Sequence, residues 1–133
     1  MKTVVKLLLF VFVIVFVSTA CIIPFGPRLV SGSGKVVEDE RNVRGFDEIL
    51  VTGAGTVIIS QGDTEFLTIE TDDNLMDYIE TEVKGGTLEI GFKDGTVFSS
   101  RGGRRVLEPT DGFIFRIEVI DLTAITLSGA ARV

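Results

Sequence analysis

Carboxylates are the most concentrated reactive side chains of this 133-residue sequence. Asp72, Asp73 and Asn74 could supply several of the oxygen ligands that hard cations such as calcium prefer. They belong to an acidic run without an intervening base: Asp63, Glu65, Glu70, Asp72, Asp73, Asp77, Glu80 and Glu82. The Asp-x-Asp-x-Asp-Gly spacing of a regular calcium loop is missing. The run therefore favours a solvated acidic face, and we predict no metal-binding residues.

Paired carboxylates also hydrolyse glycosidic bonds when one of them has a raised pKa and acts as the acid. No pair in this sequence stands out by an apolar setting that would raise one pKa. Histidine is absent, which excludes histidine-based triads and imidazole ligands. We therefore predict no enzyme, no catalytic residue and no cofactor. A carbohydrate-active β-helix enzyme and a calcium-stabilised envelope module are the alternative functions.

Two further groups of side chains would suit an acidic or sugar ligand. Arg101, Arg104 and Arg105 lie in a glycine-rich stretch, and guanidinium groups bind phosphate and carboxylate. A charged surface loop explains them equally well and is the commoner case. The second group consists of phenylalanines that could form a sugar platform: Phe92, Phe98, Phe113 and Phe115. Their alternation with other residues places most of them in the core.

The single cysteine, Cys21, directly follows a secretory-type signal. Lys2 and Lys6 precede an apolar run at residues 7–17, which is shorter than the about 20 residues that span a bilayer. Small residues before a lone cysteine resemble a bacterial lipobox, which implies cleavage before Cys21 and lipid attachment to its sulfur. Ordinary signal cleavage beside an incidental cysteine, which would give a secreted protein, is the alternative. We predict a signal peptide at residues 1–20 and an extracytoplasmic protein anchored to the cell membrane.

Charge excludes one class of partner. The whole chain has a formal net charge of −6, and loss of Lys2 and Lys6 with the signal leaves 11 basic against 19 acidic residues, or −8. Such a surface repels phosphate backbones, so we expect no nucleic-acid partner. The expected partners are the membrane, through the lipid anchor, and a surface glycan or protein ligand. The oligomeric state stays open.

The elements that would position these residues are short strands. Residues 21–34 have the proline, glycine and serine content of a flexible tether, and residues 35–133 form one domain. We predict a charged edge strand at residues 36–44, a helical turn at 75–79 capped by residues 72–74, and a hairpin around Gly85 and Gly86. A long surface loop follows at residues 99–111. A central strand with two partly apolar faces follows at residues 113–121.

A glycine–alanine corner, Gly53-Ala54-Gly55, is the main clue to architecture. It lacks the spacing and the following helix of a phosphate-binding loop. Residues 122–133 align with residues 46–57 without a gap and match at Ile125, Gly129, Ala130 and Val133. Recurring strands with small-residue corners are typical of stacked coils, in which each rung covers the next.

These segments resemble the head GIN domain family of bacterial auto-transporter adhesins. The resemblance rests on residues 43–49, 53–57, 61–62, 72–75, 84–90 and 127–131 and extends from about Gly34 to Val133. It implies an all-β, right-handed β-helix-like stack, an extracytoplasmic location and no catalytic residues. Family members continue through further rungs, so the resemblance also implies that the domain of residues 35–133 is incomplete. The implied function is a non-catalytic adhesin or surface scaffold.

Overall fold

The computed structural model describes residues 28–93, 96–97 and 105–133, and its regular structure is almost all β. The strands are β1 (Arg28–Ser31), β2 (Val36–Arg41), β3 (Glu48–Gln61), β4 (Phe66–Asp72), β5 (Ile79–Lys84), β6 (Thr87–Phe92), β7 (Thr96–Val97), β8 (Arg105–Glu108), β9 (Ile114–Val119) and β10 (Ala124–Arg132). The described residues contain one helical element, a 3-10 turn at Met76–Tyr78. None of them forms a helix long and apolar enough to cross a membrane. The predicted all-β class is confirmed.

The strands form two sheets. A seven-stranded sheet has the order β2-β4-β9-β3-β6-β5, with β10 also paired to β3, and a small sheet has the order β1-β8-β7. The large sheet is mixed: β3 pairs in parallel with β6, β9 and β10, whereas the β2–β4, β4–β9 and β5–β6 pairs are antiparallel. The architecture therefore differs from a purely parallel stack.

The longest strand, β3, runs through the glycine–alanine corner. Its first part pairs with β6 and β10, and its last part pairs with β9. β10 lies beside β3 with Ala124 opposite Glu48 and Arg132 opposite Thr56. This is the register in which the two segments align in sequence, so the register indicated by the repeat is confirmed.

Glycine is needed where these strands meet. Gly129 has a φ of 106°, and a Cβ on it would collide with the carbonyl oxygen of Gly53. Gly55 has a φ of 153°, and a Cβ on it would lie 2.6 Å from a ring carbon of Phe115. The corner is thus a close backbone contact that larger residues would force apart.

Alternate residues of the central strands build the core. β9 lies between β4 and β3, which confirms a central strand, and Phe115, Ile117 and Val119 face inward from it. The other face of β9, predicted to be partly apolar, alternates half-buried Ile114, Arg116 and Glu118. The buried apolar side chains are Val43, Phe46, Ile49, Val51, Val57, Leu67, Ile69, Leu75, Met76, Ile79, Leu88, Ile90, Leu107, Phe113, Phe115, Ile117 and Val119.

Local turn signals are also confirmed, with one correction. Gly85 and Gly86 have φ values of 56° and 87°, as the central residues of a type I′ hairpin turn require, and they join β5 to β6. The predicted helical turn is the 3-10 turn at Met76–Tyr78. The prediction that residues 72–74 cap it is wrong, because Leu75 precedes the turn and no side chain caps it.

Two predictions about irregular segments need correction. Arg28–Ser31, inside the predicted tether of residues 21–34, forms strand β1, and Arg105–Glu108, inside the predicted loop of residues 99–111, forms its parallel partner β8. Each strand is only four residues long, so neither shows a clear period by itself. The predicted signal peptide (residues 1–20), Cys21 and the rest of the predicted tether up to residue 27 lie outside the described residues.

Candidate functional site

The side chains of residues 72–74, at the end of β4, form the most highly connected polar cluster, which we call the acidic clamp. Asp72 is fully buried and accepts three hydrogen bonds. The Gly34 N–H lies 2.8 Å and the Thr110 hydroxyl 2.6 Å from Oδ1, and the Thr110 N–H lies 2.8 Å from Oδ2. Both carboxylate oxygens therefore face hydrogen-bond donors.

These donors set the charge state of Asp72. Burial by itself would raise the pKa of this carboxyl, but the hydrogen bonds from Thr110 and Gly34 outweigh burial and hold its pKa below the usual 3.8. The backbone of Gly32 also packs closely against the Asp72 carboxylate, since a Cβ on Gly32 would collide with it. Asp72 is therefore an ionised carboxylate stabilised by N–H and O–H groups.

Asp73 and Asn74 extend the clamp toward the segment that follows β1. The Ser33 hydroxyl donates to Asp73 at 2.6 Å, and the Lys35 ammonium lies 3.4 Å away. The Ser33 hydrogen bond is the main reason that the pKa of Asp73 is lowered. The Asn74 side chain accepts from the Ser33 N–H and donates to the Ser31 carbonyl, both at 2.9 Å. The clamp thus fastens residues 31–35 to the end of β4.

The arrangement of hydrogen-bond donors in the acidic clamp does not suit a calcium site. A cation needs oxygens that point at it, whereas the Asp72 oxygens are occupied by the donors of Thr110 and Gly34. Within the part of the chain that the structure describes, no group of three or more acidic, histidine or cysteine side chains could hold a metal ion. Asp72, Asp73 and Asn74, which the sequence offered only as an alternative calcium site, have a structural role here.

The other acids of the run are spread over the molecule. Glu65 accepts hydrogen bonds from the N–H groups of Gly45 and Phe46 in the β2–β3 connection. Glu70 lies 2.5 Å from Arg116 on the outer face of the sheet. Asp63, Asp77, Glu80 and Glu82 are exposed. The predicted solvated acidic face holds for these last residues but not for the buried Asp72.

An open groove of about 630 Å³ covers the outer face of β3, β6 and β5. Leu50, Thr52, Glu80 and Glu89 are among the residues that line it. Lys84 lies 2.8 Å from Glu82 and 3.7 Å from Glu89, and the Glu82 contact is the main cause of its raised pKa. The groove therefore offers exposed polar and charged groups of both signs, suited to contacts with hydroxyl groups or a protein surface.

The remaining sequence candidates fall into two groups. Phe113 and Phe115 are buried, and the Phe92 and Phe113 rings pack edge to face with centroids 4.9 Å apart, so these rings belong to the core as predicted. Arg105 begins β8, and its side chain is not among those described. Phe98, Arg101, Arg104 and Cys21 lie outside the described residues.

Sequence reasoning missed the partners of Asp72. Thr110 and Gly34 are 38 residues away from it along the chain in opposite directions. The sequence shows Gly32 and Gly34 only as tether residues. In the structure, the Asp72 carboxylate occupies the space that a side chain on Gly32 would fill. No local pattern marks such a contact, because it depends on how the two sheets meet.

The fold defines an all-β protein. Residues 45–133 match the family described as "Putative auto-transporter adhesin, head GIN domain". Because the match covers more than half of the sequence, the chain belongs to this family. The family is described as an adhesin and not as an enzyme, and it suggests a cell-surface or extracytoplasmic protein. Among proteins with curated functions, none matches this sequence.

Solved structures support the same assignment. A putative adhesin from Parabacteroides distasonis is 30% identical with a TM-score of 0.63, over 77% of this chain and 40% of that one. One from Bacteroides fragilis has the same fold at 21% identity and a TM-score of 0.61, over 77% and 44%. A putative lipid binding protein from Parabacteroides distasonis is 29% identical with a TM-score of 0.60, over 78% and 43%. The chain spans less than half the length of these relatives.

Proposed function

We propose that this protein is a non-catalytic, lipid-anchored adhesin or surface scaffold of the bacterial cell envelope. The observation that carries the proposal is the family match over residues 45–133. The signal-like segment before Cys21 supports the anchor. Attachment through two or three acyl chains would hold the domain at the membrane far more firmly than one chain.

The outer groove is the proposed ligand surface. Its exposed Thr52, Glu80 and Lys84 offer donors and acceptors at the surface of a rigid sheet. Sugar hydroxyls and polar protein side chains both match such groups. The groove is wide and open, which suits a large surface ligand better than an enclosed small molecule.

Adhesion is tested with glycan arrays and immobilised cells probed by the full chain in mild detergent. We expect binding that weakens in Glu80→Arg, because this change reverses a charge along the groove. Asp63→Arg makes the same charge change at an exposed residue outside the groove lining and should bind like the wild type. Absence of binding to every probe would remove the adhesin role and leave a scaffold.

The anchor is tested separately by palmitate labelling in a bacterial host. We expect labelled wild type, unlabelled Cys21→Ala, and globomycin-sensitive processing. An unlabelled wild-type protein would remove the lipid anchor and favour ordinary signal cleavage. Reducing-sugar release from polysaccharides tests the enzymatic alternative, and we expect none above that of a buffer control.

The stacking of β10 on β3 supports a further architectural proposal, that these strands are successive rungs of a right-handed β-helix. Their register has a constant offset, with Ile125 opposite Ile49 and Gly129 opposite Gly53. An experimental structure tests the handedness of the connection from β3 to β10. A left-handed connection, or a β10 that leaves β3, would contradict the β-helix.

A further inference from the structure

Residues 28–35, which we call the strap, join the predicted tether to the large sheet. The strap consists of β1 and the residues that follow it, and β2 begins at Val36. Strand β1 pairs in parallel with β8, with Arg28 opposite Arg105 and Ser31 opposite Glu108. A pull that arrives through the preceding residues therefore meets the strap before any other described part of the chain.

Three consecutive N–H groups of the strap donate hydrogen bonds to three different residues. The acceptors are the Glu108 carbonyl for Gly32 at 2.7 Å, the Asn74 Oδ1 for Ser33 at 2.9 Å and the Asp72 Oδ1 for Gly34 at 2.8 Å. The first acceptor belongs to β8, and the other two belong to the acidic clamp. Because the three N–H groups are adjacent, movement of this backbone away from the clamp breaks all three bonds together.

Asn74 fastens the strap from one side. Its side-chain amide accepts from the Ser33 N–H and donates to the Ser31 carbonyl, both at 2.9 Å. It thereby satisfies the backbone of the strap much as a neighbouring strand would. Both of these contacts are to the strap, so Asn74 is a positioning residue for this segment.

Apolar packing holds the strap only weakly. Leu107 is the one buried apolar side chain that the described part of β1 and β8 contributes, Val30 is half-buried, and Leu29 is 58% exposed. Few buried apolar contacts and exposed hydrogen bonds are the marks of a segment with low local stability. The strands β4 and β9 of the large sheet, in contrast, supply fully buried side chains. The strap should therefore open at a lower free energy than the large sheet.

We propose that the strap is a load-sensitive latch that opens as one unit before the large sheet and lengthens the connection to the tether. A pull on Arg28 loads the β1–β8 pairing and the clamp bonds before β2, because they come first along the chain. Opening frees residues 28–35, at most about 29 Å of extended chain. The pairs of β9 with β3 and β4 stay intact. The use of the latch under load rests on the proposed anchor, whereas its cooperative opening does not.

Amide hydrogen exchange, followed by NMR on the full chain in mild detergent, tests the cooperative opening. We expect Gly32, Ser33 and Gly34 to share one protection factor, lower than that of β9. Asn74→Ala removes the acceptor of Ser33 alone, yet it should speed exchange at all three amides about tenfold, because they open together. Asn42→Ala changes another exposed asparagine, between β2 and β3, and should leave the three rates unchanged. Faster exchange at Ser33 alone would overturn the latch.

Single-molecule pulling tests the order of opening. The handles are attached at Arg28→Cys and Thr52→Cys in a Cys21→Ala background, so no other thiol is present. We expect an early release at low force, followed by the large sheet in a second event, and Asn74→Ala should lower the first force only. A single event in the wild type, or equal lowering of both forces, would overturn the proposal. The wild-type pattern decides the question even if Asn74→Ala unfolds.

These results are separable from a failure of the proposed anchor. The exchange and pulling measurements need no lipid, so an unlabelled Cys21 would remove the anchor and leave the measured latch in place. A labelled Cys21 together with a strap that opens only with the large sheet would keep the anchor and overturn the latch.

Discussion

At the scale of the residue, Asp72 shows how hydrogen-bond donors stabilise a buried carboxylate. Three donors from Gly34 and Thr110 replace the water that the carboxylate loses on burial. Gly32 contributes by lacking a side chain where one would meet the carboxylate. The cluster joins three distant parts of the chain, so its energetic effect should spread beyond a single strand.

Loss of the Asp72 carboxylate should therefore destabilise the fold. We expect Asp72→Ala to lower the free energy of unfolding by about 2 kcal/mol, because three hydrogen bonds to a buried carboxylate are lost. Urea unfolding followed by circular dichroism measures this effect. Asp63→Ala removes an exposed acid of the same run and should change stability by less than about 0.5 kcal/mol. Equal effects of the two substitutions would show that the clamp does not hold the fold together.

The pH dependence of stability should follow from the same residue. The pKa of Asp72 is lower in the folded protein than the usual 3.8, so its stabilising contribution is fully present above that value. The contribution is lost as the pH falls below 3.8 toward the folded pKa. We expect the stability gap between wild type and Asp72→Asn to shrink between about pH 5 and about pH 2. A gap that stays constant in urea unfolding across this range would contradict the assignment.

At the scale of the element, glycine decides which strands can meet. The stack of β10 on β3 depends on Gly129 because its backbone lies against Gly53. The β5–β6 hairpin depends on a turn in which Gly85 and Gly86 both have positive φ. In each case a local sequence signal corresponds to a backbone geometry that other residues adopt only with strain.

Substitution of Gly129 should release β10 before it disturbs the core. We expect Gly129→Ala to cost about 2 kcal/mol, since the new Cβ would meet the Gly53 carbonyl and φ is unfavourable. Hydrogen exchange should become faster in β10 while β9 stays protected. Gly91→Ala is the matched control in β6, where a Cβ would meet nothing within 4 Å. Unchanged exchange in β10 of the Gly129→Ala variant would argue against the stacked corner.

At the hairpin turn, the effect of backbone conformation on stability can be measured without a change in side-chain packing. A Cβ on Gly85 would meet nothing within 4 Å, so only its φ of 56° opposes substitution. We expect Gly85→Ala to lower the free energy of unfolding by about 1 kcal/mol, and Gly85→Asn to cost clearly less because asparagine tolerates this region. Thermal unfolding of the two variants compares them. A Gly85→Asn variant that is less stable than Gly85→Ala would contradict the type I′ turn.

At the scale of the whole molecule, the chain has two different sheet surfaces. The outer face of β3, β6 and β5 is polar and forms the proposed ligand groove. Strand β10 has no charged side chain over residues 124–131 and carries the exposed apolar residues Ile125 and Leu127.

The whole fold should be independent of calcium. We expect the melting temperature to stay within about 1 °C on addition of EDTA or excess calcium, because a ligand that stabilises the native state must bind it. The acidic clamp offers its Asp72 oxygens to Thr110 and Gly34 and not to a cation. A rise of several degrees in calcium that EDTA reverses would support the calcium-stabilised module instead.

The sequence by itself determined the features that depend on local periodicity and on turn chemistry. The all-β class, the Gly85-Gly86 hairpin, the central strand β9 and the register of β10 on β3 could all be predicted. Each of them rests on a pattern that a single segment, or a pair of similar segments, carries within itself. Family membership follows from the same patterns in their order.

Only the tertiary structure decided the role of Asp72, the pairing of β1 with β8 and the exposure of Ile125 and Leu127. Asp72 has the same chemistry as the exposed acids around it, and only the approach of Thr110 and Gly34 makes it a buried anchor. Ile125 and Leu127 have the pattern of core residues, yet they are exposed because no other described element covers them. Burial is set by contacts between distant segments, and local patterns contain no measure of those contacts.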